Sequence, residues 1–207
     1  ILVPGRLKSS YYYGNRPNMN PPAPRTTDWT FHVAIVGATK TGKTELLRAL
    51  KDLPFNPQYK QTLGSETGQI KGISNGETIC LSMTSLSGQP RLLPITQQHL
   101  NDKHAIIITY AINNVASFKE TQFWVQEASR SSPEALLFVV GTCTDVVSNA
   151  SLRPVNGADA LAQSKAWGAR NFSVSCAKND NIQTFRSQLM QDLLTKKGHK
   201  QVERETR

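Results

Sequence analysis

At 207 residues and 22.9 kDa, the chain has room for one well-cored domain with short extensions and not for two. A content of 38% hydrophobic and 19% charged residues excludes a wholly disordered protein, and no apolar run approaches the roughly 20 residues needed to cross a bilayer, which excludes a transmembrane anchor. The net charge of +9 is concentrated at the ends: residues 1–30 carry four Lys and Arg against one Asp, and residues 196–207 carry five against two acids. That distribution describes a near-neutral body with two basic tails rather than a nucleic-acid-binding face built into a fold. The tails suit solvation, a protein groove or an RNA surface.

Taken in order, residues 1–30 are basic, rich in Pro and Tyr, and read as an extended or disordered arm, with Pro17, Pro21, Pro22 and Pro24 interrupting any periodicity. The opening ILVPGRLK breaks at Pro4 after three apolar residues, so no retained secretory signal is expected. Regular structure should begin near Phe31, where FHVAIVG reads as a buried strand and the following TELLRALKDL takes a helical period. Residues 66–73 and 77–84 then form two strands joined by Ser74-Asn75-Gly76, whose Asn-Gly pair favours a tight antiparallel hairpin. A polar, Pro-containing stretch runs from Ser85 to Thr96. Beyond it strands over 105–110, 135–140 and 171–175 alternate with helices over about 115–129, 157–167 and 180–196. Alternation of this kind makes an α/β fold with a largely parallel sheet and helices on both faces. The domain expected is 31–195, followed by a basic tail at 196–207.

The strongest chemical signal is Gly37-Ala38-Thr39-Lys40-Thr41-Gly42-Lys43-Thr44, a full GxxxxGK[ST] motif. Glycines allow backbone amides to turn inward around phosphate oxygens, Lys43 reaches the β- and γ-phosphates, and the Thr44 hydroxyl can ligate Mg²⁺. The motif follows a buried strand and opens an amphipathic helix, the context this chemistry requires. Other reactive residues offer less. Cys80, Cys143 and Cys176 form neither a paired framework nor a CxxC spacing, and the four histidines share no ligand spacing. Cys80 is expected in the core, Cys143 and Cys176 in loops, and Trp124 as a helix anchor.

Beyond the phosphate motif, residues 31–195 resemble the Ras superfamily of small GTPases, and its Rab branch most closely. The segment HAIIITYAINNVASFKETQFWVQEA is similar to the Rab strand and helix in which an aromatic, here Tyr110, precedes a Ser-Phe pair, Ser117 and Phe118, and a Trp, here Trp124. LSMTSLSGQPRL aligns with the segment usually centred on DTAGQER, and VSCAK (174–178) looks like the ETSAK base loop. The resemblance implies a P-loop NTPase fold with a six-stranded mixed sheet, strand two antiparallel, and a guanine nucleotide, GTP or GDP, held with Mg²⁺ at the strand ends. Its implied site comprises Gly37, Thr39, Lys40, Thr41, Gly42, Lys43 and Thr44 at the phosphates, with Thr62 and Gly88 from the switch segments. Asp145, Ser175, Ala177 and Lys178 are implied at the base. Thr44 and Thr62 would meet the metal, and Gln89 occupies the catalytic-glutamine position.

Several positions depart from the family pattern. Ser85 replaces the DxxG aspartate, which weakens the Mg²⁺ shell. Pro90 restricts Gln89 to extended conformations and works against its orienting a water. NKxD appears as Thr142-Cys143-Thr144-Asp145, without the lysine that covers the base or the asparagine that braces the loop. Asp145 either accepts two hydrogens from the guanine edge or caps the following turn, and Lys178 either covers the ring or is solvated.

Two functions are compatible with this pattern. One is a Rab-like GTP-binding protein with impaired or absent hydrolysis, a pseudo-GTPase subunit held in a large protein complex by its tails. The other is an active switch regulating intracellular trafficking. The sequence shows no CaaX, paired terminal Cys or Met-Gly start, so no lipid anchor is visible. The start at Ile1 suits processing or truncation, transit-peptide removal included, and the expected location is the cytoplasm or an organelle such as the mitochondrion rather than the outside of the cell.

Overall fold

The computed structural model describes residues 29–58, 62, 64–147 and 153–205, with side chains as far as Lys197. The sheet has six strands: β1 Trp29–Gly37, β2 Ser65–Ser74, β3 Glu77–Leu86, β4 Ala105–Ala111, β5 Leu136–Thr142 and β6 Arg170–Ser173. Their spatial order is β2-β3-β1-β4-β5-β6. β2 runs antiparallel to β3 and every other pairing is parallel, as the resemblance implies. The hairpin turns where expected: Ser74 pairs with Glu77, and Asn75 and Gly76 adopt φ of 51° and 79°. The first strand begins two residues before Phe31, and the rest of the 1–30 extension lies outside the described residues.

Packing follows the period of each element. On one face, α1 (Lys43–Leu50) and α6 (Ile182–Glu205) lay Leu46, Leu47, Leu50, Phe185 and Leu189 against Val33, Ile35, Leu81 and Met83. On the other, α4 (Thr121–Ser131) packs Trp124, Val125 and Ala128 on Ala34, Val36, Ile106 and Ile108. Trp124 is the helix anchor expected. α3 (Val115–Lys119) and α5 (Gly157–Ala166) close a third cluster around Tyr110, Phe118, Val139 and Ala160.

Three elements differ from the sequence expectation. The stretch after Ser85 is not irregular: a 3₁₀ turn at Pro90–Leu92 leads into α2, Leu93–His99. Pro90 and Pro94 sit in first turns, where a missing N–H costs no bond, so these prolines start structure instead of breaking it. The helix expected over 115–129 is divided at Glu120, where the Thr121 hydroxyl donates to the Phe118 carbonyl at 2.5 Å and competes with the helical ladder. The last helix continues past 196 to Glu205.

Cys80 also departs from expectation. Ile79, Leu81 and Met83 face the core, so the alternation turns Cys80 to the opposite face, where it is half-buried.

Candidate functional site

A cleft of about 690 Å³ opens at the carboxyl ends of β1 and β5, lined by loop 39–44, the 55–58 turn, Thr62, Ser65, Glu66, the 87–89 segment, Thr142, Cys143, Asp145, Val146, Cys176 and Ala177. Open α/β sheets bind ligands at this edge. A larger cavity of about 850 Å³ lies elsewhere, among Trp29, Phe31, Lys196 and Lys197, away from every motif.

The phosphate loop is an extension of the core. Gly37 has φ of +142°, and a Cβ there would stand 2.3 Å from the Thr109 carbonyl oxygen, so only glycine lets β1 leave the sheet beside β4. The Thr41 hydroxyl, fully buried, donates to the Ala38 carbonyl at 2.9 Å and meets the Thr109 hydroxyl at 2.7 Å. Lys43 is 7% exposed, and its ammonium donates to the carbonyls of Gly37 at 3.0 Å and Ala38 at 2.6 Å. Burial pulls its pKa down to about 8, with Glu120 acting weakly in the opposite sense. Thr39 and Lys40 are exposed at the rim, and Lys40 takes a left-handed φ of 61°.

Switch residues close on this loop. Thr44 and Thr62 place their hydroxyls 2.9 Å apart, which brings together the two neutral oxygens expected at a metal. Gly88 presses on the loop: a Cβ there would come within 2.4 Å of the Gly37 oxygen and 2.8 Å of the Thr39 nitrogen. Ser85 is fully buried, and its hydroxyl has no hydrogen-bond partner among the described residues. Ser85 holds the place of the carboxylate in the family pattern and does not line the cleft, so the neutral oxygens there that suit Mg²⁺ are the hydroxyls of Thr44 and Thr62. Gln89 is buried and extended, φ −78° and ψ 129°, as Pro90 requires, and its Oε1 accepts from Arg91 Nε at 2.7 Å.

The far end of the cleft belongs to two loops. Asp145 Oδ1 accepts from the Ser175 hydroxyl at 2.6 Å, and Ser175 Oγ in turn accepts from the Lys178 amide at 3.0 Å. Asp145 is therefore fixed to the second loop, with its remaining acceptor capacity available to the cleft it lines. Ser175 is buried behind it, Ala177 lines the cleft, and the Lys178 side chain is exposed outside the lining. Cys143 and Cys176 line the same end. Burial raises both thiol pKa values, that of Cys176 to about 12 with Cys143, Glu45 and Asp145 adding, so both are neutral walls at physiological pH.

The position of the missing asparagine carries a hydroxyl that reaches the phosphate loop. The Thr142 hydroxyl lies between two acceptors, the carbonyls of Thr41 at 2.9 Å and Tyr110 at 3.0 Å, which share its single hydrogen. It braces the phosphate loop from β5 in place of an asparagine; the signal was the hydroxyl, which the NKxD pattern discards.

Comparison with known proteins bears on this geometry directly. The sequence profile described as "Ras family" matches residues 32–195, most of the chain. The chain belongs to the Ras family. Among curated relatives it is similar to Ras-related protein RabC of Dictyostelium discoideum, 25% identical over 167 residues that cover 79% of this chain and 83% of RabC. It is 28% identical to Ras-related protein Rab-12 of Mus musculus, covering 84% of this chain and 71% of the relative. Human Ras-related protein Rab-34 is also 28% identical, over 74% of this chain and 60% of Rab-34. These relatives place the chain in the Rab branch of small GTP-binding proteins. Family membership carries guanine nucleotide, Mg²⁺ and protein partners in general.

Proposed function

We propose that this Rab-like GTP-binding protein retains guanine nucleotide without turning it over at a switch's rate, and that it serves as a nucleotide-binding subunit of a larger protein assembly. The observation that carries the reading is the contrast between a complete phosphate loop, anchored in the core through Thr41 and Lys43, and an altered hydrolytic segment containing Ser85, Gln89 and Pro90. Lys43 and the loop amides would bind the phosphates, Thr44 and Thr62 would hold Mg²⁺, and Asp145 with Ala177 would select guanine. Mg²⁺ supplies charge neutralisation at the phosphates when bound. Without the DxxG carboxylate its affinity falls, and Gln89 lacks the freedom to place a water. The basic ends of the sequence support the assembly role, since they add charge that the sheet and cleft do not need.

The test is to denature native protein, identify the released nucleotide and then measure single-turnover hydrolysis. GTP or GDP should be recovered, with a rate at or below roughly 10⁻⁴ s⁻¹, the unassisted scale of this chemistry. Adenine nucleotide, or a rate near roughly 10⁻² s⁻¹ without a partner, would reject the reading. The double variant Ser85→Asp, Pro90→Glu should raise the rate.

A further inference from the structure

The cavity of about 850 Å³ lies at the end of the sheet opposite the nucleotide cleft, where its lining comes from the starts of β1, β4 and β5 and from α6. Its wall is aromatic. Phe31 is buried and stands edge-on to His104 at 5.4 Å. Trp29 is half-buried and held from two sides: its indole N–H donates to the Glu77 carboxylate, and the Lys197 ammonium lies 3.5 Å from its ring centroid. A ring fixed in this way loses little conformational entropy when a further group packs on its remaining surface.

The chain itself supplies a group to pack there. Trp29 is the first described residue and 28 residues precede it, so the segment before it starts at the edge of the cavity. A tether this short gives an effective concentration of about millimolar. Charge selects which part of the segment fits. The rim already holds Lys103, Lys196 and Lys197 against Asp102 and Glu134, and residues 1–20 would add Arg6, Lys8 and Arg16 with no acid. Residues 21–28, Pro-Pro-Ala-Pro-Arg-Thr-Thr-Asp, balance Arg25 against Asp28 and bring no net repulsion. Three of the first four are prolines, whose backbone offers carbonyls without N–H groups, and the ammonium groups of the rim donate and accept nothing. Pro-rich chain on an aromatic-lined groove is a recurring mode of recognition, because the extended proline helix is preset and has little entropy to lose. Four such residues span about 12 Å, and the four from Arg25 to Asp28 are the length of a reverse turn.

We propose that residues 21–24 fold back from Trp29 into this cavity and form an intramolecular clasp across the starts of β1, β4 and β5 and the last helix. The inference is independent of the nucleotide reading, because no residue of the phosphate or base loops takes part.

The experiment follows trypsin cleavage of the 207-residue chain by mass, comparing the Arg25–Thr26 bond with the Lys8–Ser9 bond, which the clasp leaves outside. With residues 21–24 seated, cleavage after Arg25 should be at least about tenfold slower than after Lys8, since it tracks the open population. Ser131→Trp fills the cavity from the end of α4, and the double variant Pro21→Ser, Pro22→Ser loosens the segment while leaving the body and the residues beside the scissile bond unchanged. Each should bring cleavage after Arg25 up to the rate after Lys8, with the latter unaltered. The proline variant needs no change in the folded body, so a folding defect cannot imitate its effect. Equal rates at the two bonds in wild type overturn the inference. Protection of Arg25 that persists in both variants comes from nearness to the sheet alone and overturns it too. Protection that rises with protein concentration assigns the cavity to a second copy, and protection found only in the native assembly assigns it to another protein; either result rejects the intramolecular clasp.

Discussion

The two ends of the cleft are built on different principles. The phosphate end is tied into the core: Thr41 is bonded to the β4 residue Thr109, Thr142 reaches Thr41 from β5, and Lys43 is almost fully buried among loop carbonyls. The base end is two loops joined by the hydroxyl of Ser175 on Asp145, with half-buried Cys143 and Cys176 beside them and Lys178 outside. A change at the phosphate end disturbs folding and binding together. Changes at the base end alter ligand preference and leave the sheet intact. The departures at Cys143 and Thr144 accordingly fall at the base end, while Thr142, the first residue of TCTD, serves the phosphate end.

The variant Lys43→Met breaks this comparison most severely, because it should move affinity and stability in opposite directions. Nucleotide affinity should fall by at least roughly a hundredfold, since one charge-assisted contact and its Coulomb attraction are lost together. The ligand-free protein should be stabilised by up to about 3 kcal/mol at neutral pH, because a lysine held at about 8 instead of 10.5 disfavours its own charged form. In wild type the folded state binds fewer protons than the unfolded state between pH 8 and 10.5, so ligand-free stability rises with pH through that window and is flat below it. Nucleotide affinity should decline over the same window as Lys43 loses its proton. Denaturant titration and fluorescent-nucleotide binding across pH 7–10 check both signs; a destabilised Lys43→Met with no such pH dependence would mean the buried ammonium is not strained.

Legibility in the sequence divided along the same line. The phosphate loop was readable because its residues are contiguous and every part, from buried strand to helix start, is local. The six strands and the antiparallel hairpin were readable from apolar runs and Asn75-Gly76. α2 was not, because Pro90 and Pro94 read as breakers unless their place in a first turn is known. Nor was the Thr142 brace, which joins residues 101 positions apart, or the Gln89–Arg91 contact, which depends on two side-chain rotamers. Cys80 was misplaced for a simpler reason: strand alternation gives two faces, and its neighbours Ile79 and Leu81 took the core.

A smaller effect sharpens the base end. Asp145→Ala should lower guanine affinity by roughly ten- to a hundredfold while leaving affinity for an inosine nucleotide, which lacks the exocyclic amine, less affected. Ser175→Ala should cost less, because it removes a support of the carboxylate rather than the carboxylate, and it also frees the Lys178 amide. Melting temperatures of both should stay near wild type. Competition binding with the two bases decides: equal losses for guanine and hypoxanthine would mean that Asp145 reads the shared ring N–H and not the exocyclic amine, and no loss for either would mean that it only caps its own turn.

The smallest expected effect is at Cys143, which stands where the family carries the lysine that covers the ring. Its backbone is left-handed, φ 62° and ψ 36°, and its thiol is neutral. Any side chain other than glycine meets that strain, so Cys143→Lys adds no new backbone cost, and its aliphatic stem can lie along one face of a bound base. Covering a few tens of Å² at about 25 cal/mol per Å² is worth at most ~1 kcal/mol, or roughly fivefold in affinity. Because a stem packs on any purine face, the gain should be the same for guanine and adenine nucleotides, unlike the loss at Asp145. Cys143→Gly supplies the control: it relieves the left-handed strain, raising stability by about 1 kcal/mol, and covers nothing. Dissociation rates for both bases across the three proteins separate cover from strain. A slower release in Cys143→Gly equal to that in Cys143→Lys would assign the effect to the backbone, and a gain confined to guanine would mean the new ammonium reads the base edge instead of covering the ring.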